Sequence, residues 1–301
     1  MLITKFLDPK NDYAFKRIFG AERNKDILIH FINDILEFSG AHKIQTVSYL
    51  KPSQDPEIAS KKQSILDVLC EDQEGRQYIV EMQVARTTGF EKRAQYYAAK
   101  AYVNQLNSGG EYRDLKAVIF LAITDYVMFP DTPEYLSNHV TLDKKRHSRD
   151  LKDFSFTFLE LPKFNKSMDQ LETMIEKWAY FFKYAGETRE KDMPRIAGLD
   201  EVIAQAYEEL NRFSWSETEL LNYESEQKRI MDEAAVWDYF CRVTLEEARQ
   251  KGMQEGREQR IQEGRQAERL SIAKNMILSG MSMDIIRSLI GLSDAELSTL
   301  A

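Results

Sequence analysis

The chain has 301 residues, 43% of them hydrophobic and 30% charged, and a formal net charge of -8. That is enough apolar material for one sizeable core and a smaller second element, and no run approaches the ~18–20 apolar residues of a membrane span. Cys70 and Cys241 lack metal-ligand spacing, and the net acidity excludes a protein that coats nucleic acid by charge alone.

Asp12 to Phe19 and Asn24 to Leu36 repeat apolar residues at helical spacing and predict two short helices that cover a sheet. Strand-like runs follow at Lys43 to Leu50, Ser64 to Glu71 and Gln77 to Val84. Thr88 to Leu106 predicts a helix broken only by Gly89, Leu115 to Thr124 a buried strand, and Phe154 to Leu161 a later strand. Helices, strands, helix, strand and strand in that order predict an α/β domain over residues 1–165, a mixed central sheet flanked by helices. Beyond residue 166 the pattern is helical. Met168 to Tyr184 and Glu201 to Phe213 are amphipathic, and Ser216-x-x-Glu219 has capping-box spacing for a long helix that runs past Cys241. We divide this part into a helical region, 166–250, and a tail, 251–301. The tail opens with a charged segment in which Gly252, Gly256 and Gly264 fall on multiples of four, read as a solvated helix or hinge. It ends in two or three short helices, with Gly280 and Gly291 as stops and Ser293-x-x-Glu296 as a second capping box.

The charge is uneven. Residues 1–165 carry 23 basic and 23 acidic side chains, and residues 166–301 carry 18 basic and 26 acidic. The whole deficit lies in the helical half, so a neutral first half with local basic clusters keeps nucleic acid within reach. Lys144, Lys145, Arg146, Arg149 and Lys152 form such a cluster. Met1 to Pro9 has no apolar signal segment, so a cytoplasmic location with reduced thiols is expected.

The chemistry concentrates in SILDVLCEDQEGRQYIVEMQV, Ser64 to Val84. Two strand-like runs flank a polar loop containing Gly75, which is a hairpin signal. Centring the loop on Glu74 sets Asp67 opposite Glu81, Ile65 opposite Gln83 and Leu69 opposite Ile79. Alternation then puts Asp67, Glu81 and Gln83 on one face, and Val68, Cys70, Val80 and Met82 on the other. Carboxylates whose Cβ atoms lie about 4.5–5.5 Å apart repel each other unless a cation separates them. Mg²⁺, which keeps several waters and takes one or two carboxylates plus a substrate phosphate, suits that place, with Mn²⁺ or Ca²⁺ as substitutes. The bland alternative is that Asp67 ends a strand in solvent and Glu81 pairs with a base. Asp12 has two readings: a third acid beside the cation, or the N-cap of the first helix. His30, His42, His139 and His147 show no metal-ligand spacing, and no Walker-type loop is present.

Asp67 followed one hairpin later by Glu81-x-Gln83 resembles the PD-(D/E)xK phosphodiesterase motif. More closely, the chain resembles the bacterial recombination-promoting nuclease family, also described as transposase-like. The resemblance rests on DYAFKRIFG (Asp12 to Gly20), the ILDV and IVEMQ hairpin, the helix FEKRAQYYAAKAYVNQLNSGGEY, and the Glu/Gly-rich tail. It implies a four-stranded mixed sheet, Mg²⁺ dependence and DNA cleavage, with Asp67 and Glu81 as metal ligands and Gln83 positioning the attacking water. The usual motif lysine is Gln83 here, so the source of positive charge is open. Lys92, Arg93 and Lys100 on the following helix are candidates, and Arg93-x-x-x-Tyr97 resembles a variant of the Gln-x-x-x-Tyr motif of RecB-like nucleases. Lys92 and Lys100, with Lys144, Lys145 and Arg146, are the expected DNA contacts.

Two other functions stay open at this point: a nuclease fold retained for binding DNA or protein with catalysis weak or lost, and a DDE-type transposase. The expected partner is DNA, with no membrane. The tail has two readings, a homodimer contact through the C-terminal helices or a helix-turn-helix whose second helix holds Asp284 and Arg287.

Overall fold

The computed structural model describes residues 4–51, 53–54, 64–106, 110–291 and 293. In chain order the elements are α1 (Asp12–Phe19), α2 (Lys25–Ile35), β1 (Val47–Tyr49), β2 (Ser53–Gln54), β3 (Ser64–Ile65), β4 (Val68–Asp72), β5 (Gln77–Gln83), α3 (Phe90–Asn104), β6 (Val118–Thr124), β7 (Leu136–Val140), β8 (Phe154–Glu160), α4 (Met174–Tyr184), α5 (Met193–Ala197), α6 (Glu201–Glu209), α7 (Glu217–Leu278) and α8 (Met283–Ile290). Two compact units result, Met1–Glu233 and Ala234–Ala301.

The first unit is built on a six-stranded sheet of order β1-β4-β5-β6-β8-β7, with β2 and β3 paired as a separate ribbon. The four strands implied by the resemblance are therefore too few. β1, β4 and β5 are antiparallel, β5, β6 and β8 run parallel, and β7 closes the far edge antiparallel. A parallel pair needs a crossover, and α3 supplies it between β5 and β6. All seven residues of β6 are buried, as expected of a central parallel strand. Its alternate residues divide between two cores. Val118, Phe120 and Ala122 pack with Phe90, Ala94, Ala98 and Ala101 of α3. Ile119, Leu121 and Ile123 pack in the larger core with α1, α2, α4 and α6. There Phe15, Phe19, Phe31, Trp178 and Phe182 form a ring cluster with centroid separations of 4.9–6.2 Å. The helices after residue 166 thus complete the sheet's own core, and Trp178 Nε1 donates to Asp34 at 2.8 Å.

Local chemistry fixes the element ends. The β4–β5 turn is organised by the Asp72 carboxylate, which accepts from the backbone N–H of Glu74 (2.9 Å) and Arg76 (3.0 Å), from Arg76 Nε (2.7 Å) and from the Tyr78 hydroxyl (2.9 Å). Gly75 takes φ +80°, a left-handed turn position that favours glycine. α1 has the expected bounds, but its N-cap is Asn11 and not Asp12. Asn11 Oδ1 accepts from the N–H of Tyr13 and Ala14, and its Nδ2 donates to the Tyr223 carbonyl at 3.0 Å. Removing both roles in Asn11→Ala should cost about 1–2 kcal/mol, read as a lower urea midpoint.

The Ser216 capping box forms as expected. Ser216 N–H and Oγ both bond Glu219 Oε2, at 2.8 and 2.9 Å, and α7 continues to Leu278 without a hinge at the glycines. A Cβ at Gly252, Gly256 or Gly264 would meet no described atom within 4 Å, so close helix packing within the chain does not explain them. In the second unit the end of α7 packs on α8 through Ala273 and Ile286, and Arg269 Nη2 caps α8 at the Ile290 carbonyl (2.7 Å) and the Gly291 carbonyl. Gly280 and Gly291 stop helices with positive φ, and Glu296, the far end of the second capping box, falls outside the described residues. Asp284 and Arg287 lie one turn apart on α8, 3.9 Å from each other.

Candidate active site

The hairpin register is the one expected from the sequence: Val68 faces Val80, Leu69 faces Ile79 and Cys70 faces Tyr78. The ladder stops one residue short of Asp67, because the chain bends at Leu66–Asp67 and Ser64–Ile65 turn away to pair with β2. Asp67 therefore stands at the mouth of the hairpin and not inside a continuous strand. It still meets Glu81: Asp67 N–H donates to Glu81 Oε1 at 3.1 Å, and Asp67 Oδ2 accepts from Met82 N–H at 2.9 Å.

Glu81 is 5% exposed. Burial raises its carboxyl well above the ordinary carboxylate range, and the neighbouring charge of Asp67 raises it further, while the Asp67 N–H, Arg93 and Lys16 pull the other way. Asp67 is raised for the same first reason, then by Asp12, against the Met82 N–H and Lys16. Burial is thus the first cause at both acids, and it works against the charge on each.

Both acids open into a cleft of about 570 Å³, which also receives Asp12 and Lys16 from α1, Gln83 from β5, and Arg93 and Tyr97 from α3. Lys16 Nζ lies 2.8 Å from Asp12 Oδ2 and 3.4 Å from Asp67 Oδ1. Lys10 lines the cleft as well, but its ammonium turns to Asp8 (3.4 Å) and Asp125 (3.8 Å). Glu226, Arg229 and Ile230, from the first turns of α7, form a further wall. The sequence reading missed Lys16 and this wall. The signal for Lys16 was present, a polar i, i+4 pair with Asp12 on a helix whose Ala14, Phe15, Ile18 and Phe19 are buried.

Gln83 is committed at both ends: Nε2 donates to the Ala85 carbonyl at 2.7 Å, and Oε1 accepts from Arg93. In this geometry it holds Arg93. The Arg93 guanidinium also sits 4.7 Å from the Phe90 ring and 5.9 Å from the Tyr97 ring.

The other expected cations lie apart. Lys92 is exposed on α3, and neither it nor Lys100 lines the cleft. Lys144, Lys145 and Arg146 lie exposed in the turn between β7 and β8. Val140 pairs with Ser155, at the end of the sheet where β6 and β8 begin, whereas Glu81 and Gln83 face Ala122 and Thr124, where β6 ends. Cys70 is buried and Cys241 exposed, both free.

As a metal site the donor set is sparse. Among the described residues no three His, Cys, Asp or Glu side chains are placed to hold an ion by themselves. Two carboxylates open to a cleft suit a hard cation that keeps waters and shares a phosphate, and do not suit an all-protein cage. Among the described residues, no helix is long and apolar enough to cross a membrane.

Residues 9–239 match the family model described as PD-(D/E)XK nuclease family transposase. No match is found among curated proteins or among solved structures.

Proposed function

Because the chain belongs to the PD-(D/E)XK nuclease family transposases, a nuclease or transposase-like family that acts on DNA, we propose that it is a Mg²⁺-dependent DNA endonuclease working through Asp67 and Glu81. The observation that carries this reading is the pair itself: two carboxylates raised first by burial, Glu81 further by Asp67 and Asp67 further by Asp12, joined at the mouth of the hairpin and open to a cleft. Such a pair is costly without a cation and favourable with one.

The chemistry a bound divalent cation supplies is charge neutralisation at the phosphate and an acidified water. Asp67 and Glu81 would hold the ion, with Asp12 as a further candidate ligand that is paired with Lys16 in this structure, and Arg93 offsets the charge of Glu81 from the α3 side. Gln83 orients Arg93. The cleft walls from α1, α3 and α7 position the strand to be cut, with Lys92 and Lys100 as further contacts to its backbone. The protein works in the cytoplasm, and promoting recombination or the mobility of DNA elements is the biological outcome that fits strand cleavage. A homodimer through the C-terminal helices remains part of the proposal for the second unit.

The test is incubation of the purified chain with supercoiled and linear DNA under Mg²⁺, Mn²⁺ and Ca²⁺, beside Asp67→Ala. Nicking and linearisation of the circle under Mg²⁺, lost in Asp67→Ala, is the expected result. Undiminished cleavage by that variant removes the proposal, and binding without cleavage by the wild type replaces it with a DNA-binding module.

Gln83→Lys restores the commonest motif residue, yet we expect it to lower activity. The new ammonium would face the Arg93 guanidinium that Gln83 now accepts from, and like charges at that distance repel. A drop of roughly tenfold in cleavage, recovered in part by adding Arg93→Gln, is the expected pattern in a rate assay.

A further inference from the structure

The cleft holds a cation that answers the question Gln83 leaves open. We infer that Lys16, from α1, supplies the positive charge at the scissile phosphate that the motif ordinarily draws from the residue at position 83. The inference rests on the nuclease reading above and names a further catalytic residue for it.

Reach toward Asp67, rather than freedom from partners, separates Lys16 from the other cations lining the cleft. Arg93 is bound to Gln83 and lies over the rings of Phe90 and Tyr97. Lys10 faces Asp8 and Asp125. Arg229 is paired with Glu226 on its own helix. Lys16 alone among the cations lining the cleft forms an ion pair that reaches Asp67. Its side chain is 40% exposed, so the ammonium has room to shift by a bond rotation from the carboxylates toward a phosphate oxygen beside them. The backbone supports the placement. Asp12 at the start of α1 and Lys16 one turn later share the polar side of the helix, and the buried Phe15 and Phe19 anchor the opposite side in the aromatic core. Lysine suits the task because it is a compact point charge with three rotatable donors.

In the hydrolysis the water oxygen forms a bond to phosphorus and the bond from phosphorus to the departing sugar oxygen breaks. The water gives up one proton to solvent, and the departing oxygen takes one from solvent. Lys16 remains an ammonium throughout, donating hydrogen bonds to a non-bridging phosphate oxygen where negative charge grows.

The experiment compares wild type, Lys16→Met and Lys16→Arg for cleavage of a labelled duplex under Mg²⁺, and titrates each with Ca²⁺ by calorimetry. Lys16→Met should lose about 10²-fold in kcat with little change in KM. It should bind Ca²⁺ as tightly as wild type or more so, because a positive charge has been taken from beside the carboxylates. Lys16→Arg should recover part of kcat. Unchanged kcat in Lys16→Met overturns the inference and makes Lys16 a counter-ion only. Loss of Ca²⁺ binding together with kcat also overturns it, since Lys16 would then merely hold the acids in place. A wild type that cleaves nothing overturns the nuclease reading, and this inference with it, whereas cleavage that is indifferent to Lys16 overturns this inference alone.

Discussion

Glu81→Gln should reduce cleavage by roughly 10³-fold while making the metal-free protein more stable. The two effects have one cause. Ionised Glu81 is buried, sits against Asp67, and is opposed only by the Asp67 N–H, Arg93 and Lys16. Glutamine keeps the oxygen that accepts from Asp67 N–H and removes the charge. Relieving a buried like-charge pair is worth about 1–3 kcal/mol, and a unit of this size gains roughly 2–4 °C per kcal/mol. A melting curve in chelator and a cleavage assay in Mg²⁺ read the two sides. If the variant melts lower than wild type in chelator, Glu81 is a structural acid satisfied by its neighbours, and the site has to be sought elsewhere in the cleft.

The register of this hairpin was legible because a two-residue period and a polar loop leave little freedom. Once Gly75 and the loop residues fix the turn, each side chain's face and partner follow. The same holds for α1, whose polar and apolar residues separate at helical spacing, and for the capping box at Ser216. Strand β7 was not legible. Its residues, LSNHV, include three polar side chains and two exposed positions, and they become a strand because β8 offers an unpaired edge. β1 is shorter than its sequence pattern for a related reason. Ile44 N–H and carbonyl are taken by the Asn33 side chain, at 2.8 and 2.9 Å, which holds the chain off the sheet until Val47. Side-chain competition for backbone groups is invisible to periodicity.

The site was half legible. Local pattern brings Asp67 to Glu81, but the state of Gln83 depends on Arg93 arriving from α3, and Lys16 arrives from a helix some fifty positions earlier. Only the fold puts these groups around one cleft. The helices after residue 166 teach the same lesson at larger scale. Their composition differs from that of the sheet region, which suggested a separate region, yet Trp178, Phe182 and Tyr207 complete the core beneath β6. Amphipathicity announces that a helix has a partner and leaves the partner unnamed.

The pH dependence of stability should flatten or reverse sign when a divalent cation is added. In chelator the raised carboxyls of Asp67 and Glu81 keep protons in the folded chain that the unfolded chain has already released. Where the native state binds more protons, stability falls as pH rises. The window opens at the ordinary carboxylate pKa of about 4 and closes at the raised native values. Asp34 and Asp125, also raised by burial, act in the same direction. Glu176 is lowered, because its hydrogen bonds from Lys166 and from the backbone of Glu172 and Thr173 outweigh burial, so its contribution is lost only in more acid solution. Between about pH 5 and about pH 8 the metal-free protein should therefore lose roughly 1–3 kcal/mol. With Mg²⁺ at about a hundred times its dissociation constant, binding to the ionised pair adds about 2.7 kcal/mol and strengthens as protons leave, so stability should hold or rise over the same range. Urea midpoints at both ends of the window, with chelator and with Mg²⁺, give four numbers whose interaction is the result. Parallel slopes would mean that no cation enters between Asp67 and Glu81. Glu81→Gln should flatten the chelator slope, because one of the two groups responsible for it no longer titrates.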